Sequence, residues 1–116
     1  MKKILLDTSF LIDIIKFKVR LEEIKNLING EYKIFVPSTV VDELKSNPTK
    51  YAKIALKLIE NVEILKTPER SADRAIINLT NKNILVATND RKLRAKLKEL
   101  RIRTIYLRAK KYLEMG

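Results

Sequence analysis

The fold is decided by the opening stretch of the chain, MKKILLDTS (residues 1–9). Its apolar run ILL (residues 4–6) is typical of a strand that is buried on both faces of a parallel sheet. Thr8 or Ser9 can then cap a helix that follows directly. Asp7 is therefore predicted at the carboxyl end of a strand, which is the edge where open α/β sheets bind ligands. On this stretch alone, a share in capping the helix explains Asp7 equally well.

A second stretch, ILVATND (residues 84–90), repeats this arrangement near the other end of the chain. Asp90 again follows a short apolar run and precedes a helix, where it is explained most simply as an N-cap. If the two strands are neighbours in one parallel sheet, however, Asp7 and Asp90 converge at its edge. Like charges held together are unfavourable unless a positive charge lies between them, so the pair predicts a bound divalent cation.

The composition excludes several kinds of chemistry. The chain has no histidine and no cysteine, so it has no His-assisted catalytic triad, no thiolate metal site and no disulfide framework. Two glycines are too few for a P-loop or a dinucleotide-binding glycine motif. No apolar stretch is long enough for a membrane helix, and carboxylates interrupt the first two. We expect a soluble cytoplasmic protein of one domain, residues 1–116.

Other carboxylates fall where a site needs them. Glu43 has no evident structural task and lies at the edge of an apolar helix face, whereas Asp42 could cap that helix. Asp73 lies in the first turn of its helix, where the helix dipole stabilises a carboxylate whatever its function. Asp13, flanked by isoleucines, is at most an accessory residue. A cluster of oxygen ligands without histidine or cysteine favours Mg²⁺ or Mn²⁺.

The formal charge of +11 is large for 116 residues and predicts a polyanionic partner, in the first place nucleic acid. The basic residues concentrate between positions 91 and 111, where Glu99 is the single acid. Arg91, Arg94 and Lys98 share one face of a predicted helix and are the candidate contacts to nucleic-acid phosphates. The alternative is a lysine-rich surface that serves solubility alone.

Strand-like and helix-like segments alternate from end to end, which predicts an α/β domain with a mostly parallel central sheet of about five strands and helices on both faces. The residues after the last predicted strand are expected to add a helical turn or to trail off. The five predicted strands are residues 4–6, 32–36, 62–65, 84–87 and 103–107.

Four motifs, in this order and at this spacing, resemble the PIN domain. They are LDTS with LID (residues 6–9 and 11–13), VVDEL (40–44), ADRAI (72–76) and VATNDRKL (86–93). The resemblance covers essentially the whole chain and is strongest to small archaeal PIN proteins, both VapC-type toxins and relatives of nucleases that process ribosomal RNA. No single motif is specific, but the four in sequence are.

The resemblance implies a three-layer sandwich and an endoribonuclease that depends on Mg²⁺ or Mn²⁺. It also implies RNA as a partner, a cognate antitoxin if the protein is a toxin, and a homodimer, which is common in the family. Many relatives carry a second acid where this chain has Arg74, so the number of bound metals stays open. The implied catalytic acids are Asp7, Glu43, Asp73 and Asp90, with Asp7 and Asp90 as direct metal ligands and with Thr8, Thr88 and Asn89 in support.

The sequence also allows functions other than that of a nuclease. A PIN module that binds RNA without cutting it would use the basic face alone, for example in ribosome assembly. A phosphatase of the haloacid dehalogenase type needs a second Asp two residues after the first, where Ser9 stands. A response-regulator receiver needs a Lys at the end of its last strand, where Leu107 and Arg108 stand. Both of these classes therefore fit worse.

Overall fold

The computed structural model describes residues 1–116, the whole of the printed chain. Its longest helices contain nine residues, and none of its helices is both long and apolar enough to cross a membrane. The elements in chain order are β1 (Lys2–Leu6), α1 (Thr8–Lys16), a 3-10 helix (Leu21–Asn26), β2 (Tyr32–Pro37), α2 (Ser38–Ser46), α3 (Lys50–Leu58), β3 (Glu63–Leu65), α4 (Ala72–Leu79), β4 (Ile84–Ala87), α5 (Arg91–Glu99), β5 (Thr104–Arg108) and β6 (Tyr112–Met115).

All six strands belong to one sheet, in the order β3-β2-β1-β4-β5-β6. The first five run parallel, and β6 pairs antiparallel with β5. The two strands that precede the predicted metal ligands, β1 and β4, are therefore neighbours, and Leu6 is in register with Ala87. Asp7 and Thr88 leave the sheet side by side at its carboxyl edge. This order meets the condition on which the sequence prediction of a shared acidic site depends.

The sixth strand corrects the prediction of a helical turn or an irregular tail after β5. A three-residue connection, Ala109-Lys110-Lys111, joins β5 to β6, and the Lys111 N–H donates to the Arg108 carbonyl (3.0 Å). Ala109 and Lys110 have positive φ, 54° and 56°. A hairpin turn of this kind normally recruits Asn and Gly, because they tolerate that conformation best. The sequence Ala-Lys carries no such signal.

Strand β1 is buried on both faces, as its apolar run predicts. Ile4 and Leu6 join one core, to which α1, α2 and α3 contribute, while Leu5 joins a second core with α4 and α5. The alternation follows from the two-residue period of a strand, which sends successive side chains to opposite faces. The result is a layer of helices on each side of a mostly parallel sheet, so the predicted fold class is confirmed.

The helical spacing of Ile54, Leu58 and Ile59 predicts an apolar face at α3, and that of Leu93, Leu97 and Leu100 predicts one at α5. Each prediction is correct only in part, because Ile59, Leu93 and Leu97 are buried but the other three are not. On α3, Ile54 and Leu58 are 49% and 37% exposed, and the helix packs against α1 through the fully buried Ala52 and Ala55. Small residues allow the two helices to approach closely, which turns the larger side chains outwards. Leu100 is also half exposed, because α5 ends one residue before it.

Helix boundaries differ from the predictions in a way that matters for the site. Helix α1 begins at Thr8, with Asp7 in the N-cap position, and α2 begins at Ser38. Neither helix has a side-chain cap. In α1 this leaves the hydroxyls of Thr8 and Ser9 free to make other contacts. The helical spacing of Leu21, Ile24, Leu27 and Ile28 predicts an α-helix, but Leu21–Asn26 forms a 3-10 helix.

Candidate active site

Asp7 is the buried centre of the carboxyl edge. It is only 4% exposed, and its backbone N–H donates to the Ala87 carbonyl (2.9 Å), which extends the pairing of β1 with β4. Its Oδ2 atom accepts hydrogen bonds from the hydroxyls of Thr88 (2.7 Å) and Ser9 (3.0 Å). These bonds fix the orientation of the carboxyl group and leave Oδ1 without a side-chain donor.

Burial raises the pKa of the Asp7 carboxyl above its usual range, because the charged form has lost most of its contact with water. The hydroxyls of Thr88 and Ser9 and the Thr8 backbone act in the opposite direction, but they do not offset the burial. The negative charge of Asp73 raises the pKa further. The ionised form of Asp7 is therefore unfavourable until a cation is near it.

Thr8 links this centre to Glu43 on α2. The Thr8 hydroxyl donates to Oε1 of Glu43 at 2.5 Å, and the Ala72 N–H at the start of α4 lies 3.5 Å from Oε2. Glu43 is half-buried, and these two contacts connect α2, which carries it, to α1 and α4. Asp42 is exposed and caps nothing, because α2 begins before Thr39. Of the two acids in VVDEL, the structure brings Glu43 to the edge.

Asp73 lies in the first turn of α4, and its side chain is the most exposed of the four candidate acids. Partial burial of its carboxyl raises its pKa, and the charges of Asp90 and Glu43 raise it further. Asp73 also acts on Asp7. Asp73 therefore interacts electrostatically with each of the other three predicted acids, so the four carboxylates form one group.

Asp90 is the N-cap of α5 and also lies beside Thr88 and Asp7 at the carboxyl edge. As N-cap of α5, its Oδ1 atom accepts hydrogen bonds from the backbone N–H groups of Lys92 (2.9 Å) and Leu93 (3.1 Å). Its own N–H donates to the Thr88 hydroxyl (3.1 Å), which in turn donates to Asp7. The capping bonds use one oxygen and leave Oδ2 available to a ligand.

The Asn89 side chain holds the loop that carries Asp90 in place, and it makes no hydrogen bond to the four candidate acids. Its Nδ2 donates to Asp13 (2.9 Å) on α1, and its Oδ1 accepts from the Leu107 N–H (2.8 Å) on β5. The side chain thus fastens α1 and β5 to the loop that carries Asp90. Asp13, predicted at most as an accessory residue, is the partner in this clamp.

Sequence reasoning missed Ser9, which was considered only as a helix cap. Its hydroxyl donates to Asp7, accepts the Asn89 N–H (3.1 Å) and lies 3.3 Å from the Thr88 hydroxyl. It therefore connects the two strand ends that form the site. The available signal is its position two residues after Asp7, but that signal becomes informative only once α1 is known to begin at Thr8.

The four acids have no basic partner, although the chain contains 25 lysines and arginines. The ion pairs of the protein lie elsewhere, between Arg20 and Glu22, Lys33 and Glu63, and Arg108 and Glu114. No three of the acids approach each other closely enough to form a complete metal cage in this conformation. The oxygen-only donor set, the free Oδ atoms of Asp7 and Asp90 and the uncompensated charge nevertheless fit a hard divalent cation.

A basic surface begins directly beside Asp90. Arg91, Arg94 and Lys98 line a cavity of about 350 Å³ between α5 and the end of β6, as their three- and four-residue spacing predicts. The Arg94 guanidinium lies over the Tyr106 ring, 3.6 Å from its centroid, while its buried Nε–H has no acceptor. The acidic edge and the basic surface thus adjoin.

This fold and this edge define a PIN-like domain. The chain matches the PIN-like domain family over residues 4–110 and belongs to it, which confirms the resemblance carried by the four motifs. Its sequence is similar to that of the ribonuclease VapC4 of Methanocaldococcus jannaschii, with 36% identity over 127 aligned positions that cover 99% of this chain and 97% of that protein. The fold is similar to that of the PIN domain endonuclease Utp24, with a TM-score of 0.84 and 24% identity over 98% of this chain and 90% of that chain.

Proposed function

We propose that the protein is a VapC-type endoribonuclease that hydrolyses RNA phosphodiester bonds with the help of Mg²⁺ or Mn²⁺. The observation that carries the proposal is the group of four interacting carboxylates at the carboxyl edge, which has no basic partner in a chain of net charge +11. The similarity to a protein named as a ribonuclease, over nearly the full length of both chains, supports the choice of reaction.

In this proposal Asp7 and Asp90 hold the ion through the oxygens that their hydroxyl and backbone donors leave free. When bound, such an ion supplies an activated water and offsets the charge that develops on the leaving oxygen. Thr88 and Ser9 keep the Asp7 carboxylate in one orientation, and Thr8 does the same for Glu43. Arg91, next to Asp90, attracts the phosphate of the neighbouring nucleotide in the RNA.

The test is cleavage of a mixed-sequence RNA by the purified protein with Mg²⁺ or Mn²⁺, compared with EDTA. We expect metal-dependent cutting that Asp7→Asn and Glu43→Gln reduce by at least about 100-fold, as is common when an electrostatic catalytic group is lost. Asp42→Asn is the matched control, because Asp42 neighbours Glu43 but points to solvent. Cutting that persists in Asp7→Asn, or that is equally lost in Asp42→Asn, would contradict the proposal.

A second candidate is a module that binds RNA without cutting it. It is favoured by the spacing of the acids, of which no three are close enough for a metal cage. Salt-sensitive RNA binding without cleavage, unchanged in Asp7→Asn, would establish it.

A cognate antitoxin belongs to the first proposal and is tested by co-purification with the product of an adjacent gene. The homodimer and the cytoplasmic location remain predictions.

A further inference from the structure

A second cavity, of about 340 Å³, lies next to the acidic edge on the side of β5. Asn89 and Arg91, which flank Asp90 in the chain, form part of its wall, so the cavity adjoins the acidic edge. We call it the aromatic cavity, because two rings line it among basic side chains. The residues that matter are Phe17, Tyr106, Arg91, Arg94, Arg108 and Lys110.

The Phe17 ring offers a face for stacking. Phe17 ends α1 and is half-buried, and its ring packs partly against the larger core. The ammonium groups of Lys16 and Lys110 lie 5.5 Å and 5.4 Å from its centroid. An exposed contact between an ammonium and a ring is weaker than the stacking of a nucleobase, so a base can displace the flexible lysines towards its own phosphate.

The opposite wall is held in place by a chain of contacts. The Tyr106 hydroxyl donates to Glu114 (3.0 Å), and Arg108 binds both oxygens of the same carboxylate (2.9 and 3.0 Å). The hydroxyl of Tyr106, together with Arg108, lowers the pKa of Glu114, which therefore stays ionised. Tyr106 in turn carries the Arg94 guanidinium on its face. These contacts fix the positions of Tyr106, Arg108 and Arg94 relative to one another.

Charge is distributed unevenly around the cavity. Four of its side chains are cationic, and the single carboxylate, Asp13, sits next to Asn89 with one oxygen already engaged. A phosphate is attracted to the arginines and to Lys110 but is repelled by Asp13. The uncharged, planar base of a nucleotide can instead pack against the wall near Asp13 and Phe17. Lys110, in the connection between β5 and β6, lines this cavity.

The cavity also continues into the basic surface on α5. Arg91 and Arg94 line both it and the cavity that contains Lys98. The rings and the cations on α5 thus form one continuous surface. A stacking platform beside a basic track is how proteins bind unpaired nucleic acid.

We propose that the aromatic cavity is a nucleotide subsite, in which one unpaired nucleotide of the RNA stacks its base on Phe17 and places its phosphate against Lys110 and Arg108. The inference rests on RNA as the substrate of the proposed nuclease. It adds a specificity-determining subsite that is separate from the acids, and it requires the nucleotide beside the cut to be unpaired.

The test uses fluorescence, because the chain contains no tryptophan. Phe17→Trp introduces a single reporter in the cavity, and Asp7→Asn in the same chain keeps the RNA intact. A short adenosine oligoribonucleotide is expected to quench the tryptophan emission saturably, while the same strand annealed to its complement is not. Tyr32→Trp is the matched control, a half-buried ring near a lysine at the amino edge of the sheet, and its emission is expected to stay constant.

Two substitutions test the two contacts separately. Phe17→Leu keeps the apolar packing but removes the ring, and we expect RNA affinity to fall roughly 5- to 150-fold, the range for one lost stacked base. Lys110→Gln is expected to lower the slope of log affinity against log salt by about 0.7, as for one phosphate contact with a single strand. Lys111→Gln removes the same charge one residue away, outside the cavity, and is expected to leave the slope unchanged.

The outcomes separate this proposal from the nuclease proposal. Quenching of Phe17→Trp by the single strand supports the subsite even if the wild-type protein never cuts RNA. Metal-dependent cutting by a protein whose Phe17→Trp emission does not respond to RNA overturns the subsite and leaves the nuclease proposal standing. Equal quenching by the duplex, or wild-type affinity in Phe17→Leu, also overturns it, as does a failure of the protein to bind the single strand.

Discussion

Asp7 illustrates how much of the candidate site rests on single residues. Its position at a strand end followed from the local sequence, because a buried apolar run followed by a polar residue marks such an end. Its hydroxyl partners did not follow. Thr88 lies 81 residues away in the chain, and Ser9 becomes available only because α1 starts without a side-chain cap. Contacts between distant residues depend on tertiary geometry that local patterns do not contain.

Asp7 is predicted to reduce the stability of the protein in the absence of a cation. Burial raises the pKa of Asp7 in the folded state above the ordinary 3.8, so between the two pKa values the folded protein holds a proton that the unfolded chain has lost. The contribution of Asp7 to stability therefore falls as the pH rises from about 4 through the folded-state pKa. Asp7→Asn keeps an acceptor for Thr88 and Ser9 but carries no charge, so in EDTA at neutral pH it should have the higher melting temperature.

The measurement is thermal unfolding of both proteins in EDTA across the acidic and neutral range. The difference in favour of Asp7→Asn should grow with pH and then level off, and Mg²⁺ should stabilise the wild-type protein more than the variant. A variant that is less stable than wild type at neutral pH in EDTA would show that the burial of Asp7 is already compensated.

At the scale of elements, sequence patterns were most informative where capping and periodicity agree. Strand β4 was predicted to the residue, and Asp90 does cap the helix that follows it. The hairpin β5–β6 escaped prediction because its turn uses Ala109 and Lys110 in the left-handed conformation. The apolar side of α3 was misjudged because alanines, rather than the larger residues, make its contacts.

Ala109→Gly is predicted to stabilise the protein. Glycine adopts positive φ without the clash of a Cβ atom, which costs an alanine about 1–2 kcal/mol, while its greater freedom in the unfolded chain cancels part of the gain. We expect a net gain of about 0.5–1 kcal/mol, or roughly 2–4 °C in melting temperature. Ala95→Gly, the same change on an exposed position inside α5, should instead lower stability by about 1 kcal/mol. Two shifts of the same sign would contradict the argument.

At the scale of the whole molecule, the sequence predicted the layers but not the order of the strands. Alternating elements imply a parallel sheet with helices on both faces. The pairing of β1 with β4, separated by most of the chain, depends on which apolar faces fit together after collapse. The distribution of charge was clearer, because the basic segment that follows Asp90 is continuous in the sequence and remains beside the acids in space.

The sheet order also implies that different parts of the protein open at different rates. Asp7 and Asp90 follow β1 and β4, which have partners on both sides, whereas β6 is an edge strand that is paired only with β5. Amide hydrogen exchange should therefore be slow in β1 and β4 and clearly faster in β6, because an edge strand can open without global unfolding. Uniform exchange across all strands would contradict this expectation. If exchange differs as expected, β6 can detach from β5, which would release Tyr106 and Arg108 from Glu114 while Asp7 and Asp90 keep their positions.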